Sequence, residues 1–122
     1  MKLQPDKSDA QIISGHGDQW VSVGSERITH SVLIGSRGQR VAWQAENFEQ
    51  LSARHFEMLV EQGAEIVIFG SGSRLRFPPP MWLAPLMRQR MGLETMDTAA
   101  ACRTYNILAA EGRNVLAALL LR

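Results

Sequence analysis

The apolar run Ile66-Val67-Ile68-Phe69 stops at Gly70-Ser71-Gly72-Ser73, passes Arg74 and Arg76, and ends in Phe77-Pro78-Pro79-Pro80. A short, β-branched run bounded by glycines predicts a buried strand. The prolines predict the first turn of a following helix, where a missing N–H costs nothing. A buried strand that opens through a glycine loop toward a helix is the arrangement in which α/β sheets usually hold a ligand. Successive N–H groups in such a loop can converge on an anion.

The loop nevertheless completes no nucleotide or catalytic signature. The dinucleotide fingerprint needs a third glycine where Leu75 stands, and the phosphate loop needs a Gly-Lys-Ser/Thr that is absent. The hydrolase elbow spaces its serine one residue from each glycine, whereas Ser71 directly follows Gly70. Two readings stay open: a generic anion or polar-ligand loop, and a turn that needs glycine backbone angles. Arg74 and Arg76 share a face if extended. With Ser71 and Ser73 they would form an anion clamp; otherwise they stack on Phe77 or Trp82, or pair with an acid such as Glu94.

The remaining segments build an α/β frame around this stretch. Ser52 is a helix N-cap, Phe56, Leu59 and Val60 form an amphipathic stripe, and Gly63 closes that helix. A second helix runs from Pro80 to about Arg90, and Leu93–Met96 is a short strand. Asp97 or Thr98 caps a long helix reaching about Ala110. Periodicity alone leaves the last run, Asn114–Leu121, open between helix and strand. Upstream, Ala10–Ser14, Gln19–Val23, Arg27–Ile34 and Gln39–Trp43 read as an antiparallel meander, with turns at Gly15–Asp18, Gly24-Ser25 and Ser36–Gly38. The expected fold class is α/β: a three-layer domain with a central mixed β-sheet flanked by helices and an N-terminal antiparallel β meander. Residues 1–9 are expected to be a disordered lead-in, and residues 10–122 a single domain.

Composition narrows the classes of partner. With 122 residues, 45% hydrophobic, the chain can bury a sizeable core. Net charge is +1, so nothing in the bulk electrostatics favours nucleic acid, and no run approaches the length that spans a bilayer. Positive charge is concentrated late: residues 63–122 carry seven basic groups, all arginine, against four acids. A single cysteine, Cys102, excludes an internal disulfide. The polar start carries no signal-peptide core, so the expected location is cytoplasmic, in a bacterial cell.

A second constellation is Met96-Asp97-Thr98 followed by Ala101-Cys102-Arg103-Thr104-Tyr105-Asn106. Asp97 sits at a strand-to-helix junction, as the glycine loop does, so both can open on one edge of the sheet. Its ordinary role is to cap the helix; a general base would also need a raised pKa and a proton donor beside it. Cys102 near a helix start suggests a nucleophile, against the commoner role of a small core residue. His16, His30 and His55 are scattered without ligand spacing, so no metal and no cofactor are expected.

Taken in order, the block Glu65–Ser73, then Arg74-Leu75-Arg76-Phe77-Pro78-Pro79, then Met96–Asn106 resembles the hallmark blocks of one family. It is a group of small α/β domains of uncertain function from bacteria, archaea and mitochondria. Its animal members include assembly factor 3 of mitochondrial respiratory complex I and an adipogenesis-associated protein. The resemblance spans about Ala10 to Leu121. It implies the three-layer fold, an extra β layer from the meander, and a C-terminal strand antiparallel to its neighbours. It brings no catalytic residues.

The expected function is therefore a non-enzymatic protein-binding or assembly-factor-like module. Its recognition surface would comprise Gly70, Ser71, Gly72, Ser73, Arg74 and Arg76, with Asp97, Thr98, Arg103 and Asn106 from the helix start. The alternative is a small enzyme or binding protein that holds an anionic metabolite in the same crevice, with Ser71 or Ser73 and Asp97 as its chemical groups.

Overall fold

The computed structural model describes residues 10–122; the lead-in expected over 1–9 lies outside the described residues. Among the described residues eight strands form two sheets. β1 (Ile13–Gly17), β2 (Trp20–Val23) and β3 (Glu26–Ile28) make an antiparallel meander. β4 (Val32–Gly35), β5 (Arg40–Ala42), β6 (Ile66–Ser71), β7 (Gly92–Met96) and β8 (Val115–Leu120) make a mixed sheet in the order β5-β4-β8-β6-β7. The helices are α1 (Ala53–Glu57), α2 (Ala84–Arg88) and α3 (Thr98–Ala110). Tight 3₁₀ turns over Met58–Gln62 and Pro80–Leu83 extend α1 and lead into α2.

The central strands read as unbroken apolar runs because both of their faces are covered. Val32, Ile34, Ile68, Val115, Ala117 and Leu119 pack under α3 and the meander, against Ala101, Cys102, Tyr105, Val21 and Ile28. Leu33, Val67, Phe69, Leu116, Ala118 and Leu120 face the opposite layer, with Phe56, Leu59, Leu86 and Trp43. In that layer Phe56 packs edge-to-face on both Trp43 and Phe69, with ring centroids 5.9 and 5.3 Å away. The expected three-layer α/β fold with its β meander is the fold observed.

Three local readings are corrected. The strand expected over Arg27–Ile34 is two strands in different sheets, β3 beside β2 and β4 beside β8. The change from alternating to continuous apolar residues along this segment marks the passage from a sheet with an open face to one enclosed on both. The turn expected at Gly15–Asp18 falls at Asp18-Gln19 instead, with Gln19 at φ 64°. Gly15 and Gly17 are strand residues because the Trp20 indole lies across them: a Cβ on Gly17 would sit 2.7 Å from its Cε2. The C-terminal run is a strand, but not antiparallel to both neighbours. β8 is antiparallel to β4 and parallel to β6, since the α3 crossover returns the chain in the direction of β6 and β7.

Helix α3 rests on β6 at Gly70. A Cβ there would lie 2.9 Å from Leu119 Cδ2, 3.0 Å from Thr98 Oγ1 and 3.1 Å from Ala101 Cβ. Gly70→Ala is expected to destabilise the fold by about 1–3 kcal/mol through overpacking, read as a lower midpoint in urea unfolding. An unchanged midpoint would mean that α3 has room to move off the strand.

Candidate functional site

The carboxyl ends of β6 and β7, the C-terminal end of β8 and the start of α3 meet at one crest, and the sequence-predicted residues gather around it. Gly72 and Thr98 bond each other twice. The Gly72 N–H donates to Thr98 Oγ1 at 2.9 Å, and the Thr98 N–H donates to the Gly72 carbonyl at 2.9 Å. The Thr98 hydroxyl proton goes to the Leu120 carbonyl. Gly72 adopts φ 104°, and a Cβ on it would run into the Arg122 carbonyl. The second loop glycine thus admits a neighbouring main chain at a backbone angle unsuited to other residues.

Ser71 is buried and its hydroxyl is engaged internally. Oγ accepts from the Arg76 N–H at 3.1 Å and donates to the Arg74 carbonyl at 2.7 Å, with the Met96 carbonyl at 3.2 Å. Asp97 is the N-cap of α3: Oδ1 accepts from the Ala100 N–H at 2.9 Å. Asn106 grips the start of β1, accepting from the Ile13 N–H and donating to the Ile13 carbonyl, both at 2.9 Å. Tyr105 donates to the Gln11 carbonyl at 2.6 Å, and burial pushes its phenol well above the ordinary range.

The arginines diverge. Arg76 pairs with Glu49 at 2.6 Å and stacks over Phe48, its guanidinium carbon 4.3 Å from the ring centroid. These are not the partners expected from the sequence, because Phe48 and Glu49 reach the loop from the β5–α1 connection. That contact holds the Glu49 carboxyl below the usual carboxylate range, with the more distant charge of Arg74 adding to it. Arg74 and Arg103 are exposed, and neither forms an ion pair among the described residues.

Gly72, Ser73, Asp97 and Thr98 line one depression of about 120 Å³, together with His16, Gly17, Asp18 and Gln19 of the β1–β2 turn. The glycine loop and Asp97 therefore share a recess, while Arg74, Arg76, Arg103 and Asn106 do not line it. The His16–Gln19 wall was not legible as part of a site, since only the folding of the meander against the crest brings it there. Two more open grooves lie elsewhere. One, of about 450 Å³, sits at the carboxyl end of α3 beside Arg37 and Arg113; the other, of about 490 Å³, runs along Trp43 and Glu46.

Cys102 is buried in the core, and burial pushes its thiol up to about 11 despite the opposing charge of Arg103. Among the described residues no three His, Cys, Asp or Glu side chains gather as metal ligands, and no helix is long and apolar enough to cross a membrane.

These elements define a small three-layer α/β domain with a closed polar crest. The chain belongs to the family described as "Protein of unknown function (DUF498/DUF598)", whose model matches residues 13–120. It is 32% identical over 82 residues to NADH dehydrogenase [ubiquinone] 1 alpha subcomplex assembly factor 3 of Bos taurus, covering 66% of this chain and 45% of that protein. It is 27% identical over 85 residues to a 13 kDa major membrane protein of Francisella tularensis, covering 68% of this chain and 69% of that one. A crystal structure of a Bordetella parapertussis protein superposes with TM-score 0.85 at 32% identity, over 91% of this chain and 95% of that chain. The match thus spans less than half the length of the bovine protein.

One outcome follows from the crest and one from the core position of Cys102. Thr98→Val keeps the shape but strands the Gly72 N–H and the Leu120 carbonyl. It should cost about 2–4 kcal/mol in denaturant unfolding, and Thr98→Ser should restore most of that. Cys102 should resist iodoacetamide at pH 8 in the native protein and react once unfolded. Because its folded pKa is raised, its contribution to stability is complete below the unfolded thiol pKa. That contribution is lost as the pH climbs toward 11. Rapid native labelling at pH 8 would contradict this burial.

Proposed function

We propose that the domain is a non-enzymatic protein-binding, assembly-factor-like module that presents the Gly70–Arg76 loop and the Asp97–Asn106 helix start to a partner. The observation carrying this reading is the commitment of Ser71, Thr98 and Asp97 to the fold itself, which leaves the exposed Ser73 as the one serine of the loop facing the recess. Ser71 has its hydroxyl spent on the Arg76 N–H and the Arg74 carbonyl, and Thr98 is spent on Gly72 and Leu120. Asp97 caps its helix. A nucleophile or general base needs a free hydroxyl or carboxylate within reach of a proton in transit.

The recess is also small for a metabolite. Ligand pockets usually enclose about 300–1,000 Å³, against about 120 Å³ here. What this region offers outward is guanidinium: Arg74 on the loop and Arg103 on α3 are exposed. Arginine is favoured at protein interfaces because its planar fork makes bidentate contacts with carboxylates. Relatives named as assembly factors of NADH dehydrogenase support a partner that is itself a protein.

The test compares wild type with the double variant Arg74→Ala, Arg103→Ala. A stoichiometric protein partner should co-purify with wild type and be lost from the variant, whose melting temperature should stay within about 2 °C because both side chains are exposed. Retention of the partner by the variant would remove these arginines from the interface. A thermal rise of several degrees with phosphate, nucleotide or carboxylate would instead favour the anionic-metabolite reading.

A further inference from the structure

The connection between β6 and β7 carries large apolar side chains on the outside of the helical layer. Leu75 is 52% exposed, Phe77 68%, Met81 78% and Met87 70%. Their direction follows from their neighbours. Arg76 turns inward onto Phe48, so Leu75 and Phe77, on either side of it in an extended segment, turn outward. Trp82 packs on Phe56 and Leu86 is buried, which puts Met81, Met87 and Arg88 on the outer side of the Pro80–Arg88 helical segment. Pro78, Pro79 and Pro80 stiffen the passage between the two pieces. The apolar groups therefore project from a fixed base.

Charge runs with them. From Ile66 to Leu93 the sequence contains four arginines and no acid. Arg76 is held by Glu49, whereas Arg74, Arg88 and Arg90 are exposed and form no ion pair among the described residues. The adjoining α1 and its 3₁₀ extension add Arg54, Glu57 and Glu61, which leaves an excess of cations. Apart from the guanidinium groups, directional hydrogen-bonding groups are almost missing: between Arg74 and Arg90 the single uncharged polar side chain outside Trp82 is Gln89, and four of the residues are prolines without N–H. Protein interfaces carry about one hydrogen bond per 100–200 Å². An anionic lipid interface asks for none, only apolar groups to enter the acyl boundary and cations to meet the headgroups.

We propose that the outer face formed by Phe77, Met81, Met87 and Arg88, with Leu75 and Arg90 at its margins, docks the domain on the surface of an anionic lipid bilayer. This goes beyond the protein-binding reading and uses a different face. The bilayer receives the side chains at its interface while the backbone stays in the aqueous layer.

The experiment is flotation of the full chain with vesicles of phosphatidylcholine alone and of phosphatidylcholine with 30% phosphatidylglycerol. Wild type should float with the anionic vesicles at least about tenfold more than with the neutral ones, and added salt should release it. Phe77→Ser with Met81→Ser should cut anionic flotation about tenfold or more, and Arg88→Glu should lower it and weaken its salt dependence. Circular dichroism melts of these surface variants should match wild type. The Arg74→Ala, Arg103→Ala protein should still float, which separates failure here from failure of the protein-binding reading. No flotation at millimolar lipid, equal flotation with neutral vesicles, or flotation indifferent to Phe77→Ser and Met81→Ser would each overturn the proposal. So would absent flotation accompanied by saturable binding of an acidic amphipathic peptide, or a dimer in sedimentation equilibrium that Phe77→Ser dissolves; these would assign the face to protein or to a second copy.

Discussion

The double hydrogen bond between Gly72 and Thr98 is the point at which the domain closes. β6 arrives there from the middle of the sheet, α3 departs from it, and β8 ends beside it through the Leu120 carbonyl. At sheet ends backbone groups run out of ladder partners, and an unmatched buried group costs about 1–3 kcal/mol. One threonine hydroxyl, with both its donor and an acceptor site used, meets two of those needs at once. The glycine is required because the C-terminal main chain crosses where a Cβ would lie. Loop, helix start and terminal strand are therefore mutually dependent.

That dependence explains why polar residues at the customary ligand end of an α/β sheet present little free chemistry. In ligand-binding sheets the loop N–H groups and the helix start point at an empty crevice. Here the Gly72 N–H meets Thr98, the Arg76 N–H meets Ser71, and the Ala100 N–H meets Asp97. An incoming anion would have to displace intramolecular acceptors that are already in place. The energy of these groups is spent on geometry, and among the charged side chains around the crest Arg74 and Arg103 are left exposed.

Much of the frame was legible because hydrophobic pattern and capping chemistry are local. The amphipathic stripe of Phe56, Leu59 and Val60, the proline entry at Pro80 and the Asp97 cap each state their element within a few residues. The C-terminal run was ambiguous for the opposite reason: a strand enclosed on both faces has lost the alternation that identifies strands, and only its neighbours β4 and β6 decide it. Gly15 and Gly17 misled because glycine usually marks a turn, whereas here it makes room for an indole three to five residues away. At the site, Asp97 and the loop could be placed at one edge of the sheet from topology. The partners of Arg76 could not, since Phe48 and Glu49 lie more than 25 residues upstream and meet it only through packing. Thr98 was expected as a second candidate for the cap and as part of the recognition surface, and nothing local showed that its hydroxyl would join Gly72 to Leu120.

The same layering sorts the arginines by role. Arg76 has one side on an aromatic ring and a carboxylate at its tip, so it anchors the loop to the helical layer. By fixing that residue inward, the fold turns Leu75 and Phe77 outward. The inward packing of Trp82 and Leu86 does the same for Met81 and Met87. Apolar exposure on this face is thus a geometric consequence of how the connection is pinned, and it persists as long as Arg76 and Trp82 hold. A domain that leaves Phe77 and two methionines more than two-thirds exposed to water keeps a standing hydrophobic cost that polar replacements would remove without touching the core. Surface of this kind, beside cations that lack internal partners, is physically coherent when something apolar and negatively charged covers it.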